Sequence, residues 1–412
     1  MATTDLEEAV LAQRPKLRGR PLRILTYTSL FPNAAQPVNG IFVENRLRHL
    51  LASGEVEARV VAPVPWFPSG HPRFGAWAQY VGAPSAETRH GNPILHPRFP
   101  LIPKIGMTIA PTLLYAWTRG TVKRLQAEWD FDLIDAHYFY PDGVAAAMIA
   151  RDLGKPLVIT ARGTDLNLIP QFALPRAQIR WAAGRAAGLI TVCDALKRSL
   201  VDLGVPDEKT VVLRNGVDLA GLRPLDREES RRALGVDGKV LLSVGHLIER
   251  KGHYLIIEAM AQLPDYSLMI VGEGTDRAAL ESQVAAAGLS DRVRFFGQIP
   301  HDQLARIYSA ADALVLASSR EGWANVLLEA MACGTPVVAT DVWGTAEAVT
   351  APEAGVLIKE RSPAGIVDGV RRLWSAMPSR ADTRRYAELF SWDDTTRGQI
   401  ELFSRIIEGQ KL

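Results

Sequence analysis

Short apolar runs alternate with helix-period stretches along nearly the whole chain. In the first half the runs Leu22–Thr26, Ala58–Val61, Leu133–Ala136, Leu157–Thr160, Leu189–Val192 and Val211–Leu213 read as strands. Helical patterns fall between them over Phe42–Leu51, Gly143–Arg151 and Ala195–Leu203. The second half repeats the rhythm with Val240–Val244, Ser267–Val271, Val293–Phe296, Ala313–Leu316, Val337–Ala339 and Val356–Ile358. Continuous apolar strands, rather than alternating ones, are buried on both faces, and strands separated by helices build parallel sheets from right-handed βαβ units. The expected class is α/β, with two Rossmann-like doubly wound domains facing a central cleft. A mobile tail is expected over residues 1–20, a first domain over 21–217, a second over 218–388 and a last helix over 389–412 that returns to the first domain. In each domain a ligand belongs at the carboxyl ends of the strands.

At 412 residues the chain exceeds one ordinary core, which agrees with two domains. Two cysteines, Cys193 and Cys333, sit among apolar neighbours and supply neither a disulfide framework nor a metal cluster. No metal and no cofactor are expected, and a reducing, cytoplasmic setting fits. The net charge of +2 hides an asymmetry: residues 1–200 carry 23 Lys and Arg against 15 Asp and Glu, and the remainder carries 24 against 30. The basic half suits a phosphate-bearing acceptor or peripheral contact with anionic lipid on the inner face of the plasma membrane. No basic-aromatic stripe accompanies the charge, so nucleic acid is not an expected partner. The uncharged stretch Ile105–Trp117 is too short to span a bilayer and reads either as a core helix or as an interfacial one.

Candidate chemistry concentrates after the strand Ala313–Leu316. Glu321 follows it, Gly322 lets the backbone approach a ligand, and the stretch through Val326 and Glu329 reads as a helix closed by Gly334 and Pro336. Strand, turn and helix start aim free N–H groups at an anion. A carboxylate there would repel phosphate, so Glu321 suits hydroxyls, and Glu329 lies about 12 Å further along the helix axis. Hydroxyls at two points with a charged linker between them describe a sugar nucleotide. Two carboxyls so far apart do not suit a retaining hydrolase, which needs them ~5–5.5 Å apart. Gly245, His246, Arg250 and Lys251 follow the first strand of the second domain, with Lys251 placed to reach phosphate. In the first domain Arg162 stands at a strand end, either across the cleft from a diphosphate or paired with Asp165. His137 either touches substrate or satisfies a buried hydrogen bond, and Gly40 either offers amides to the cleft or merely starts a helix. Gly297 is a further strand-end glycine. No GxGxxG follows Leu22–Thr26, which weakens a hydride-transfer reading.

The Glu321-to-Glu329 spacing, together with Gly245, Lys251-Gly252, Asn215-Gly-Val-Asp218, Val271-Gly-Glu-Gly274 and Phe390-Ser-Trp392, resembles retaining GT-B glycosyltransferases of family 4. Phe31-Pro-Asn33, Gly40–Asn45 and the Thr160–Asp165 loop are similar to bacterial members that assemble teichuronic acid and exopolysaccharide. The resemblance implies Glu329 on ribose hydroxyls and Glu321 on the donor sugar. It also implies that amides of Gly322, Trp323, Ala324, Asn325 and Val326 hold sugar and diphosphate, while Lys251 neutralises phosphate. The expected partners are a nucleotide sugar and a saccharide or lipid-linked acceptor. Two departures stand out: His246 where the family commonly has arginine, and Arg162 where it commonly has histidine. An exchanged positive charge would make Arg162 part of the diphosphate clamp.

Overall fold

The computed structural model describes residues 20–101 and 106–410. The tail expected over residues 1–20 therefore lies outside the described residues, except for Arg20, whose guanidinium pairs with Asp132 at 2.9 Å. Among the described residues sixteen strands form two large sheets and a small one. The first domain holds β1 (Leu22–Tyr27), β2 (Val56–Val61), β3 (Val64–Trp66), β4 (Ala86–Arg89), β5 (Asn92–Leu95), β6 (Arg98–Pro100), β7 (Leu133–His137), β8 (Leu157–Ala161), β9 (Gly188–Thr191) and β10 (Thr210–Val212). The second holds β11 (Lys239–Val244), β12 (Tyr266–Val271), β13 (Val293–Phe295), β14 (Ala313–Leu316), β15 (Val337–Thr340) and β16 (Gly355–Ile358).

The first sheet runs β10-β9-β8-β7-β1-β2-β5-β4 and the second runs β13-β12-β11-β14-β15-β16. Every pairing in the second is parallel, and in the first only β4 on β5 is antiparallel. The order reverses between β7 and β1 in one domain and between β11 and β14 in the other. Those two switch points are where helices on opposite faces diverge and leave a crevice for ligand.

All twelve strands expected from the apolar runs are present. Residues 64–100 differ: four short strands and a 3-10 segment, Pro72–Gly82, occupy a stretch that carries no clear period. Proline at 63, 65, 68, 72, 84, 93, 97 and 100 keeps each run short. One signal was there to be used, since His90 and Gly91 (φ 50° and 77°) turn β4 into β5, the left-handed pair a tight hairpin demands.

The helix Gly106–Glu128 carries Ala110, Leu114, Thr118, Val122 and Leu125 buried along one face. That spacing makes it a core helix; Pro111 removes one helical N–H bond, and the Met107 carbonyl it leaves free accepts the Tyr140 hydroxyl instead. Met107, Ile109 and Trp117 on the same helix remain exposed. Among the described residues no helix is long and apolar enough to cross a membrane. The last helix, Trp392–Ile407, lies on the first domain: Trp392 stacks on His49 at 5.1 Å, and Gln399 accepts from Arg46 and donates to Asp135. Both cysteines are buried.

Candidate functional site

The second domain brings its chemistry to the β11/β14 switch point. After β11 the chain makes one 3-10 turn, Glu249–Lys251, and Gly252 at φ 72° then starts the helix His253–Ala259. A Cβ on Gly252 would lie 2.1 Å from the carbonyl oxygen of Ala317, so only glycine lets this turn press against the end of β14. Lys251 is thereby delivered to Glu321, with Nζ and Oε1 2.6 Å apart. Arg250 reaches the other oxygen at 3.4 Å and donates to the carbonyl of Arg320 at 3.0 Å. Burial alone would raise the Glu321 pKa, but the two cations and hydrogen bonds from Lys251 and Ser318 outweigh it, and the net shift is downward. Glu321 is thus an ionised carboxylate that aligns two cations. Burial and then these same cations lower the pKa of the neighbouring His246, which stays neutral near pH 7. No fixed positive charge replaces the arginine common at that position.

The helix Asn325–Ala332 begins immediately beyond, with Ala324 at its N-cap, no capping side chain and no acid in its first turn. Its leading N–H groups are therefore available to an anion. Val326 sits in that first turn. Glu329 lies on the second turn, half-buried, and accepts a hydrogen bond of 2.7 Å from the hydroxyl of the fully buried Tyr308. Burial raises its pKa, and Tyr308 and His301 oppose that rise. Gly245 lies under the aliphatic stem of Lys251, and the carbonyl of Gly297 accepts from Gly272 at the next strand end.

In the first domain Arg162 departs from its expected place in a diphosphate clamp. Arg162 is not a free cation of the cleft. Its Nη2 donates to His137 Nδ1 at 2.6 Å, its Nη1 donates to Asn215 Oδ1 at 3.1 Å, and the guanidinium lies over Phe42. The alternative pairing with Asp165 also fails at the guanidinium: that carboxylate accepts the backbone N–H groups of Arg162, Gly163 and Phe139. Asp165 is fully buried and holds the loop in shape instead of facing a ligand. His137, also buried, lies 3.1 Å through Nε2 from Asp135. Because guanidinium cannot accept, Nδ1 must be the acceptor and the proton must sit on Nε2. Burial, against the pull of Asp135, takes its pKa down to about 4. Gly40 is the left-handed N-cap of the helix Ile41–Ala52.

Trp323 is buried, and its indole N–H donates to the carbonyl of Asn215 at 3.1 Å. What the sequence did not reveal is how closely the two domains meet here. A Cβ on Gly163 would fall 2.9 Å from Gly322 Cα, and one on Gly322 would fall 2.0 Å from the Arg162 carbonyl oxygen. Glu347 extends the junction, accepting from the backbone N–H groups of Asp194 and Ala195 at 2.9 and 2.8 Å and pairing with Arg214 at 2.8 Å. Tyr138, at φ 76°, comes close enough to Arg250 for that cation to oppose the rise in its pKa caused by burial. Neither Glu347 nor Tyr138 carries a sequence signal beyond its position after a strand.

Two facing Rossmann-like domains with cations and a helix start converging at a switch point define the GT-B class of glycosyltransferase. Residues 226–390 match the family of glycosyl transferases group 1, and residues 43–220 match glycosyltransferase family 4. The D-inositol 3-phosphate glycosyltransferase of Geodermatophilus obscurus is 33% identical over 335 residues, covering 74% of this chain and 73% of the relative. A Bacillus subtilis protein provisionally named as the teichuronic acid biosynthesis glycosyltransferase TuaC is 28% identical over 361 residues, covering 85% and 89%. Among solved structures, sucrose-phosphate synthase from Thermosynechococcus elongatus superposes with a TM-score of 0.77 at 21% identity, covering 95% of this chain and 100% of the other. Anabaena HepE in complex with UDP-glucose gives 0.69 at 21% identity, covering 93% and 99%. The chain belongs to glycosyltransferase family 4.

Proposed function

We propose that this chain moves a sugar from a nucleoside-diphosphate donor, a UDP-sugar first, to a hydroxyl of a saccharide or lipid-linked saccharide in cell-surface polysaccharide synthesis, with retention at the anomeric carbon. The observation that carries the reading is the cluster of Lys251, Arg250 and Glu321 in front of the uncapped helix start at Asn325. Lys251 and the helix amides take up the charge that grows on the departing diphosphate. Glu321 accepts from a donor-sugar hydroxyl and Glu329 from the ribose. In the front-face course, the bond from the anomeric carbon to the phosphate oxygen breaks as the acceptor oxygen bonds to that carbon on the same face. The acceptor proton passes to the leaving phosphate. No metal is called for, since side chains and amides supply the positive field. The complexes of HepE with UDP and UDP-glucose support a uridine donor.

The basic first half and the exposed Met107, Ile109 and Trp117 support peripheral contact with a membrane carrying the acceptor. A second reading has a specific ground: several relatives are D-inositol 3-phosphate glycosyltransferases, so inositol phosphate is a rival acceptor. The test is a panel of UDP- and GDP-sugars, first without acceptor to follow slow donor hydrolysis, then with inositol phosphate or extracted lipid-linked saccharide. NMR of the product reads the anomeric configuration. A protein that binds donor but never turns it over, with any acceptor, defeats the enzymatic reading.

A further inference from the structure

Asn215 stands at the joint between the domains, in the turn just after β10, and is almost fully buried. Three of its polar atoms are committed. Oδ1 accepts from Arg162 at 3.1 Å, Nδ2 donates to Asn325 Oδ1 at 3.3 Å, and the backbone carbonyl accepts the Trp323 indole N–H at 3.1 Å. The orientation of the amide is fixed by chemistry, because guanidinium offers donors alone and so must face the oxygen. Asn215 therefore touches two residues of the loop Glu321–Val326, and does so from the other domain.

Behind it runs a continuous chain. Arg162 is held by His137, His137 by Asp135, Asp135 by Gln399 of the last helix at 3.0 Å, and Gln399 by Arg46 at 2.8 Å. The adjoining Gly216 packs so tightly under Ser391 and Trp392 that a Cβ would come within 2.5 Å of the Trp392 nitrogen. Asn215 thus sits where the linker, the returning helix and the donor loop meet, and its neighbours leave it little room to move.

We propose that Asn215 is a positioning residue through which the first domain sets the shape of the donor loop, with Arg162 fixing the orientation of its amide. The loop's free N–H groups take their aim from Trp323 and Asn325, and both are tied to Asn215. Its influence falls on the transition state more than on donor binding, because small errors in the aim of preorganised donors cost rate first. The inference rests on the reading of Glu321–Val326 as the donor loop.

The test is a double-mutant cycle on two residues that meet at Asn215. Arg162→Lys, Asn325→Ala and the pair are compared with wild type for donor hydrolysis, kcat and KM taken separately. The expected result is a fall in kcat of about tenfold for each single change, donor KM within about threefold, and a double variant no worse than the weaker single one. Asn215→Asp, which keeps the oxygen for Arg162 and loses the donor to Asn325, should match Asn325→Ala. Thermal melts confirm that each variant is folded. If the two single effects multiply within twofold in the pair, or kcat is unchanged, Asn215 transmits nothing and the proposal is overturned. Should wild type itself turn over no sugar nucleotide, the donor-loop reading fails instead, which is a separate outcome.

Discussion

The two domains share a plan and treat their polar groups in opposite ways. In the second domain the charged side chains at the strand ends are tied to one another at the switch point, as Lys251 and Arg250 are to Glu321. In the first domain the corresponding residues are drawn inward: Arg162, His137, Asp135 and Gln399 form a buried chain, and Asp165 serves only backbone N–H groups. The second domain therefore presents a preset cationic site. The first turns its polar groups into a buried network that reaches Trp323 and Asn325 through Asn215. The edges of the sheets tell the same story, since the second is uniformly parallel while the first ends in the β4–β5 hairpin and the proline-rich segment around it.

The largest way to break this contrast is to remove the preset cation. Lys251→Ala should lower kcat of donor turnover by about 10²–10³-fold, the loss typical of one preorganised transition-state donor. A loss under about fivefold would mean that Arg250 or the helix amides carry the charge by themselves. Tyr308→Phe comes next. It deprives Glu329 of its 2.7 Å hydrogen bond and should raise donor KM by about tenfold while moving kcat little, in keeping with roughly 1–2 kcal/mol for a bond to a charged group. An unchanged KM would show that Glu329 does not contact the donor.

The buried groups of the first domain can be probed by pH. His137, with its pKa down to about 4, binds a proton more readily when unfolded, so its contribution to stability falls as pH drops from about 6.5 towards 4. Asp142 acts in the opposite sense. Burial, opposed by hydrogen bonds from Ser29 and aided by Asp165, takes its pKa up to about 7, so the folded state gains protons and stability as pH falls from 7 towards 4. In Asp142→Asn that offset is gone. Denaturant titrations should show stability falling between pH 6.5 and 5 more steeply than in wild type, by about 1.4 kcal/mol per pH unit. Equal slopes would sink this assignment. The smallest effect expected is from Trp343→Gly. Trp343 adopts φ 45° and ψ −131°, a conformation that suits glycine, so relief of about 1–3 kcal/mol of strain should offset much of the lost packing and leave the melting temperature little changed. A large drop would show that the indole's contacts outweigh the backbone strain.

How much could be read beforehand divides along the same line. All twelve βαβ strands were legible, because strands buried on both faces are marked by apolar runs that need no partner to be recognised. Lys251 and Glu321 could be assigned to one strand-end cluster because each lies in the loop that follows such a strand, and the two meet at 2.6 Å. Arg162 could not be placed. A strand end puts its backbone at the cleft, but the direction of the side chain was decided by His137 and Asn215, 25 and 53 positions away. Trp323 divides in the same way: its backbone lies in the loop after β14 while its ring packs beside Phe390.

By itself, then, the sequence determined the two sheets, the order of their elements and the chemical kinds of residue at the strand ends, because those depend on local pattern and burial. Only the tertiary structure decided which of those residues are spent on one another. Whether a cation faces a ligand or a buried histidine is set by contacts between segments far apart in the chain, and no local pattern encodes them.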